Sequence, residues 1–209
     1  MRARRRQVQA LLLDADGVVV LPQRFALYRE QELGVSEEMA SQFSDGPFLA
    51  CLVGKADLKQ AIAPFLRRWN WRGTVDAFLQ RWFDEENAVD PRVMEEVGRV
   101  RRAGLRCGLA TNQERYRLDY IRHAMGLGQA FDAVFGSAEV GALKDDPRFY
   151  ERVTRQLDVP RQAGQHAGSE APAATRTGSA GETCTHSLAA HAGQDHSQQK
   201  PAQGEGRRG

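Results

Sequence analysis

The chain has 209 residues, enough for one medium domain carrying an insert. A formal net charge of +2 and a pI near 8.5 give no strong footprint for nucleic-acid binding. No stretch approaches the roughly 18 apolar residues of a membrane span. Cys51, Cys107 and Cys184 are scattered, without the spacing of a zinc site or a disulfide framework. The start carries Arg2, Arg4, Arg5 and Arg6, but the apolar run behind them is cut by Asp14 and Asp16 and no small-residue cleavage site follows. A soluble cytoplasmic protein is expected, with neither nucleic acid nor membrane as partner.

The first element is VQALLLDADGVVV, residues 8 to 20. Val8 to Leu13 reads as a buried strand, and it ends in two carboxylates one residue apart, Asp14 and Asp16. Between Gln23 and Glu86 the pattern turns helical. RFALYREQEL stops at Gly34, and Ser36 with Glu37 and Glu38 forms an N-cap with first-turn acids. Pro64 is expected to kink or split the helix in ADLKQAIAPFLRRW. Thr74 caps TVDAFLQRWFDEEN. Trp69, Trp71 and Trp82 fall in this block, where packing of a small helical subdomain is a simpler role than stacking on a substrate.

Asp90-Pro91 then gives an N-cap with Pro at the first helical position. The helix that follows stops at Gly104, and LRCGLAT, 105 to 111, is a second buried strand. QERYRLDYIRHAMG is a helix closed by Gly126, on which Arg115 and Arg117 are expected to face solvent and His123 to carry no catalytic duty. FDAVFGS, 131 to 137, reads as a third strand, with Lys144 in the loop after it, and Asp146-Pro147 opens a last helix. Alternating strands and helices predict an α/β fold, a Rossmann-like parallel sheet with a helical insert after the first strand. The expected boundaries are 8–21 and 88–160 for the α/β core and 22–87 for the insert.

Composition breaks at Pro160. Residues 161–209 contain one Leu and no Val, Ile, Met, Phe, Tyr or Trp. Such a segment cannot bury a core, so a disordered or frame-shifted low-complexity tail is expected there, leaving the core incomplete. Cys184, His186, His191 and His196 cluster in it, but a disordered tail does not hold metal ligands in place.

Sites in open parallel sheets lie at the carboxyl ends of strands. Asp14 and Asp16 end the first strand, Thr111 and Asn112 the second, and Lys144 follows the third. Two carboxylates, a hydroxyl at a helix start and a lysine suit a phosphoryl group. Asp14 can attack phosphorus, while Asp16 can protonate the leaving oxygen and later activate water. Mg²⁺ held by Asp14 and Asp16 would offset their repulsion. Thr111 with neighbouring backbone N–H groups, and Lys144, can hold and balance the phosphate. Asn112 can orient this loop or cap the next helix. Lys55 is a cap-loop candidate for substrate contact, or a solvated lysine at a helix start.

DADGV at 14 to 18, ATN at 110 to 112 and GALKDDPRFY at 141 to 150 resemble the first three motifs of the haloacid dehalogenase-like hydrolases. The helical block between the first two resembles the small helical cap of that superfamily. The resemblance implies Asp14 as nucleophile, Asp16 as acid/base, Thr111 as phosphate ligand and Lys144 as the third-motif lysine. An Asp at position 16 is the phosphatase version of the first motif. The expected function is a Mg²⁺-dependent phosphohydrolase of small phosphorylated metabolites. The chain departs from the pattern in two places. Asp145 stands where the third motif has proline, and the window RQAGQHAGSEAPA lacks the strand-borne acids of a fourth motif, with Glu170 its only acid. An inactive remnant of the same fold is therefore the alternative. A phosphoacceptor receiver is disfavoured by the long insert and by Asp57 and Asp76 lying in helical patterns.

Overall fold

The computed structural model describes Val8, residues 10–21 and 25–158, and the strand backbone at 164–167. In chain order the elements are β1 (Ala10–Leu13), α1 (Phe25–Leu33), α2 (Glu37–Ser44), α3 (Pro47–Leu52), α4 (Leu58–Arg68), α5 (Val75–Glu85), α6 (Pro91–Arg102), β2 (Arg106–Thr111), α7 (Arg115–His123), α8 (Leu127–Ala130), β3 (Ala133–Gly136), α9 (Ser137–Val140), α10 (Pro147–Gln156) and β4 (Gly164–Ala167). The sheet runs in the order β3-β2-β1-β4, and every pairing is parallel.

The α/β fold class is as the sequence implies, with one difference at the edge. Gly164–Ala167 pairs with Ala10–Leu13 along its whole length, although the sequence after Pro160 promised no strand. Its backbone groups match those that β1 leaves open, and ladder pairing needs no apolar side chain. β1 is thereby paired on both sides. Glu170, Cys184, His186, His191 and His196 lie outside the described residues, as does the tail from 168 onward.

Local signals fix most helix starts. Ser36, Thr74, Asp90 and Asp146 each accept a backbone N–H of their own helix, from Met39, Ala77, Arg92 and Arg148. Asp57 does the same for α4 through Gln60. Pro64 does not split its helix, because α4 runs unbroken from Leu58 to Arg68. Ile62 and Leu66 on either side of it are buried, and that packing carries the helix across the missing donor.

Three apolar clusters organise the molecule, one of them packing Phe149, Val153 and Leu157 of the last helical segment on Leu12 and Phe135 of the sheet. Helices α1–α5 gather around Phe25, Phe43, Phe48, Trp69, Phe78 and Trp82. Phe25 stacks on Trp82 at 5.4 Å between ring centroids and meets Phe78 edge-on at 5.5 Å. Trp71 packs edge-on against Phe78 and donates its indole N–H to the Thr74 carbonyl. A second cluster, with Leu13, Val19, Val20, Val97, Leu109, Leu118 and Ile121, lies against the sheet.

The helical insert leaves and rejoins the core through a short antiparallel ribbon. Leu21 N–H donates to the Ala88 carbonyl at 2.7 Å and Asp90 N–H to the Val19 carbonyl at 2.9 Å, with Val20 bridged to Val89. Among the described residues no helix is long and apolar enough to cross a membrane.

Candidate active site

β1 ends at Leu13 and delivers Asp14 to the carboxyl edge of the sheet. The chain then folds into a tight turn: the N–H groups of Val18, Val19 and Val20 all point to the Ala15 carbonyl, and Gly17 N–H reaches the Val20 carbonyl. This turn, with Gly17 at φ +76°, sets Asp16 beside Val20 at the start of the hinge ribbon.

Asp14 accepts the Ala15 N–H at 2.8 Å through Oδ1, while Oδ2 receives the Lys144 ammonium. The two side chains are only 22% and 18% exposed, so little solvent screens the pair. Asp16 accepts the Gln113 side-chain amide at 2.5 Å. Thr111, the last residue of β2, is buried, and its register partner in β3 is Gly136. Asn112 Oδ1 accepts the Lys144 backbone N–H at 2.9 Å, which ties the loop after β2 to the lysine loop. The structure thus links Asp14 to Lys144 and Lys144 to Asn112, and it sets Asp16 in the turn after β1 and Thr111 at the end of the neighbouring strand β2.

Several details differ from the sequence expectation. Lys144 does not follow β3 directly, because the short helix α9 intervenes. Asn112 does not cap α7; Glu114 does, accepting the N–H groups of Tyr116 at 2.7 Å and Arg117 at 2.5 Å. Arg117 is not on a solvated face but 2% exposed, with its guanidinium on the Phe83 and Glu86 carbonyls at 3.1 and 2.5 Å. Arg115 is exposed as expected, and it donates to the Gly54 carbonyl at 3.3 Å. Lys55 follows that glycine in the loop joining α3 to α4, and it is exposed.

Sequence reasoning missed Gln113, which is buried and holds Asp16 from a position 97 residues away. A polar side chain next to a phosphate-loop motif was the available signal. It also missed Tyr150, whose hydroxyl is pushed up by burial and then by the charges of Asp14 and Asp145, placing it within electrostatic reach of the site.

The Asp14 and Asp16 carboxylates offer hard oxygen donors. Such a set suits Mg²⁺, which takes one or two carboxylates and completes its shell with phosphate oxygens and water. Among the described residues no group of three or more His, Cys, Asp or Glu side chains forms a metal cage.

The fold is shared with solved structures. A predicted HAD-like family hydrolase from Porphyromonas gingivalis superposes with a TM-score of 0.62 at 15% identity, over 77% of this chain and 81% of the other. A HAD family enzyme from Bacteroides thetaiotaomicron in complex with magnesium and inorganic phosphate gives 0.63 at 15% identity, over 76% and 83%. L-2-haloacid dehalogenase from Xanthobacter autotrophicus gives 0.55 at 21% identity, over 77% and 69%. No curated protein matches the chain. A family model described as haloacid dehalogenase-like hydrolase matches residues 8–164, and the motif aspartates, threonine and lysine all fall within that match. The chain belongs to the haloacid dehalogenase-like hydrolases.

Proposed function

We propose that the protein is a phosphohydrolase of small phosphorylated metabolites that works through an aspartyl-phosphate on Asp14. The observation that carries this reading is the Lys144–Asp14 pair standing beside a separately held second carboxylate, Asp16. A lone carboxylate with a lysine is an ion pair. A second carboxylate on its own tether supplies a group that can exchange a proton with the leaving oxygen.

An Asp14 oxygen attacks phosphorus, the bond from phosphorus to the substrate oxygen breaks, and the Asp16 proton goes to that oxygen. In the second half, Asp16 as carboxylate takes a proton from water. The water oxygen bonds to phosphorus, and the bond to Asp14 breaks to release inorganic phosphate. Lys144, Thr111 and the loop at Asn112 orient the phosphoryl oxygens and balance their charge. Asp14 and Asp16 would hold Mg²⁺, which supplies charge neutralisation between carboxylates and phosphate when bound. The similar HAD family enzyme from Bacteroides thetaiotaomicron was solved with magnesium and inorganic phosphate, which supports this choice of cofactor and ligand.

Asp16 also separates this reading from dehalogenation. A departing halide needs no proton, whereas a departing alkoxide does, so a proton donor beside the nucleophile favours an oxygen leaving group. A soluble, cytoplasmic setting and a small phosphorylated partner accompany the reading.

The second reading is a phosphate-binding remnant without turnover. It is favoured by the lack, among the described residues, of a third carboxylate beside Asp14 and Asp16. Turnover of p-nitrophenyl phosphate with Mg²⁺ decides between them. Activity that disappears in Asp14→Asn supports the hydrolase; activity that persists in that variant removes Asp14 from the nucleophile's role.

A further inference from the structure

Helix α7 begins where the loop bearing Thr111 and Asn112 ends, and it faces the helical insert. Its residues grip that insert at four points. Arg115 donates to the Gly54 carbonyl, Tyr116 donates its hydroxyl to Asp57 at 2.5 Å, Arg117 reaches Phe83 and Glu86, and Tyr120 donates to Asp84 at 2.7 Å. Arg117 is the buried one of these four, and its guanidinium also lies over the rings of Phe83 and Tyr120. The carbonyls it satisfies belong to the last turn of α5 and the residue after it, where a helix leaves acceptors without partners.

Followed outward, these bonds close a ring. Glu86 leads into Ala88, Val89 and Asp90, which pair with Val19, Val20 and Leu21 in the hinge ribbon. Val20 is bridged to Asp16 through the tight turn. Asp16 accepts from Gln113, the neighbour of Glu114, and Glu114 accepts the N–H of Arg117. Gln113 is itself fixed, since its carbonyl accepts from Ala138 N–H at 3.2 Å and Ser137 Oγ at 3.4 Å.

We infer that Arg117 is a positioning residue that sets the Asp16 carboxylate through this ring, so that the seat of the insert on the core and the aim of the proton donor are one mechanical unit. The inference rests on the phosphohydrolase reading of Asp16. Its physical basis is that the ring joins backbone segments by directional bonds whose anchors Arg117, Glu86, Val20, Gln113 and Glu114 are buried, so displacement of the hinge is transmitted to Gln113 rather than absorbed by solvent. The bonds at Gly54 and Asp84 join the same surfaces without a hydrogen bond to Glu114, and the bond at Asp57 reaches Glu114 through the Tyr116 N–H but meets the insert at the start of α4 rather than at the hinge.

The test uses the full chain with Arg117→Met, which keeps a long stem and removes the donors, and Gln113→Leu, which opens the ring on its other side. Asp16 matters most when the leaving oxygen is basic. Both variants are therefore expected to lower kcat/KM for an alkyl phosphate about ten-fold more than for p-nitrophenyl phosphate. Arg117→Lys should restore part of that difference, and the double variant should be no worse than the poorer single one. Equal losses for both substrates, or additive losses, overturn the inference and reduce Arg117 to packing. Hydrogen exchange gives a reading without turnover: Gln113→Leu should speed exchange at residues 86–90, and Arg117→Met should speed it at 112–116. If Gln113→Leu leaves 86–90 unchanged, the ring does not transmit. A wild-type chain with coupled exchange and no turnover overturns the phosphohydrolase reading while the mechanical link stands.

Discussion

The Lys144 ammonium donates to Asp14 across 130 residues of sequence, joining the end of the first strand to a loop beyond the third. The same loop is pinned at its backbone by Asn112, so the lysine is held at both its main chain and its side chain. On the proposed phosphohydrolase reading, an ammonium so fixed stabilises charge that develops on phosphate oxygens. Lys144→Ala is expected to lower kcat/KM with p-nitrophenyl phosphate by about a hundred-fold or more. Steady-state kinetics with and without Mg²⁺ measure it.

Gly54 sits at φ +70° in the loop between α3 and α4, and a Cβ there would collide with the Ala138 carbonyl oxygen. Gly54→Ala faces both backbone strain and that collision, and it should cost on the order of 1–3 kcal/mol. Urea denaturation reads the loss. The variant should also raise KM, because this loop approaches the core next to α9.

Burial pushes the Glu114 carboxyl up to about 7, against the pull of the Tyr116 and Arg117 N–H groups and the Arg117 charge, with Asp57 adding to the rise. The folded chain therefore binds this proton more tightly than the unfolded one. The stability it contributes is full below the ordinary value of 4.5 and drains away as pH rises through about 7. Glu114→Gln removes that slope, so the gap in stability between wild type and variant should shift by on the order of 1–3 kcal/mol between acidic and mildly alkaline buffer. Denaturation midpoints of both proteins across that range provide the measurement.

A chain ending at Asp158 lacks β4 and bares the edge of β1 along Ala10–Leu13. Loss of those ladder bonds should lower stability by on the order of 2–4 kcal/mol. Light scattering of the shortened chain should show larger species, because an open apolar edge recruits other strands.

The strands, caps and strand-end residues were readable because their signals are local. A run such as ALLL, an Asp-Pro pair before a helix, or Thr-Asn closing a strand each carries its physics within a few residues. What could not be read depends on partners far away or on backbone alone. Gln113 finds Asp16 only after β1 and β2 pair. Arg117 in isolation is a charged residue on a polar helix, and nothing nearby in sequence says that the carbonyls of Phe83 and Glu86 will receive it. Gly164–Ala167 has no strand-forming pattern, and it is a strand because β1 offers it a template.

The paired linkers at Val19–Leu21 and Ala88–Asp90 have an architectural consequence. Departure and return points lie hydrogen-bonded side by side, so the sheet experiences everything between them as the loop of a hairpin. Joining two ends that already touch adds little closure entropy however long the intervening chain is. The helical insert is thus carried on a single two-stranded hinge however many helices it holds, and the core meets it again through α7, with Arg117 buried at that second contact.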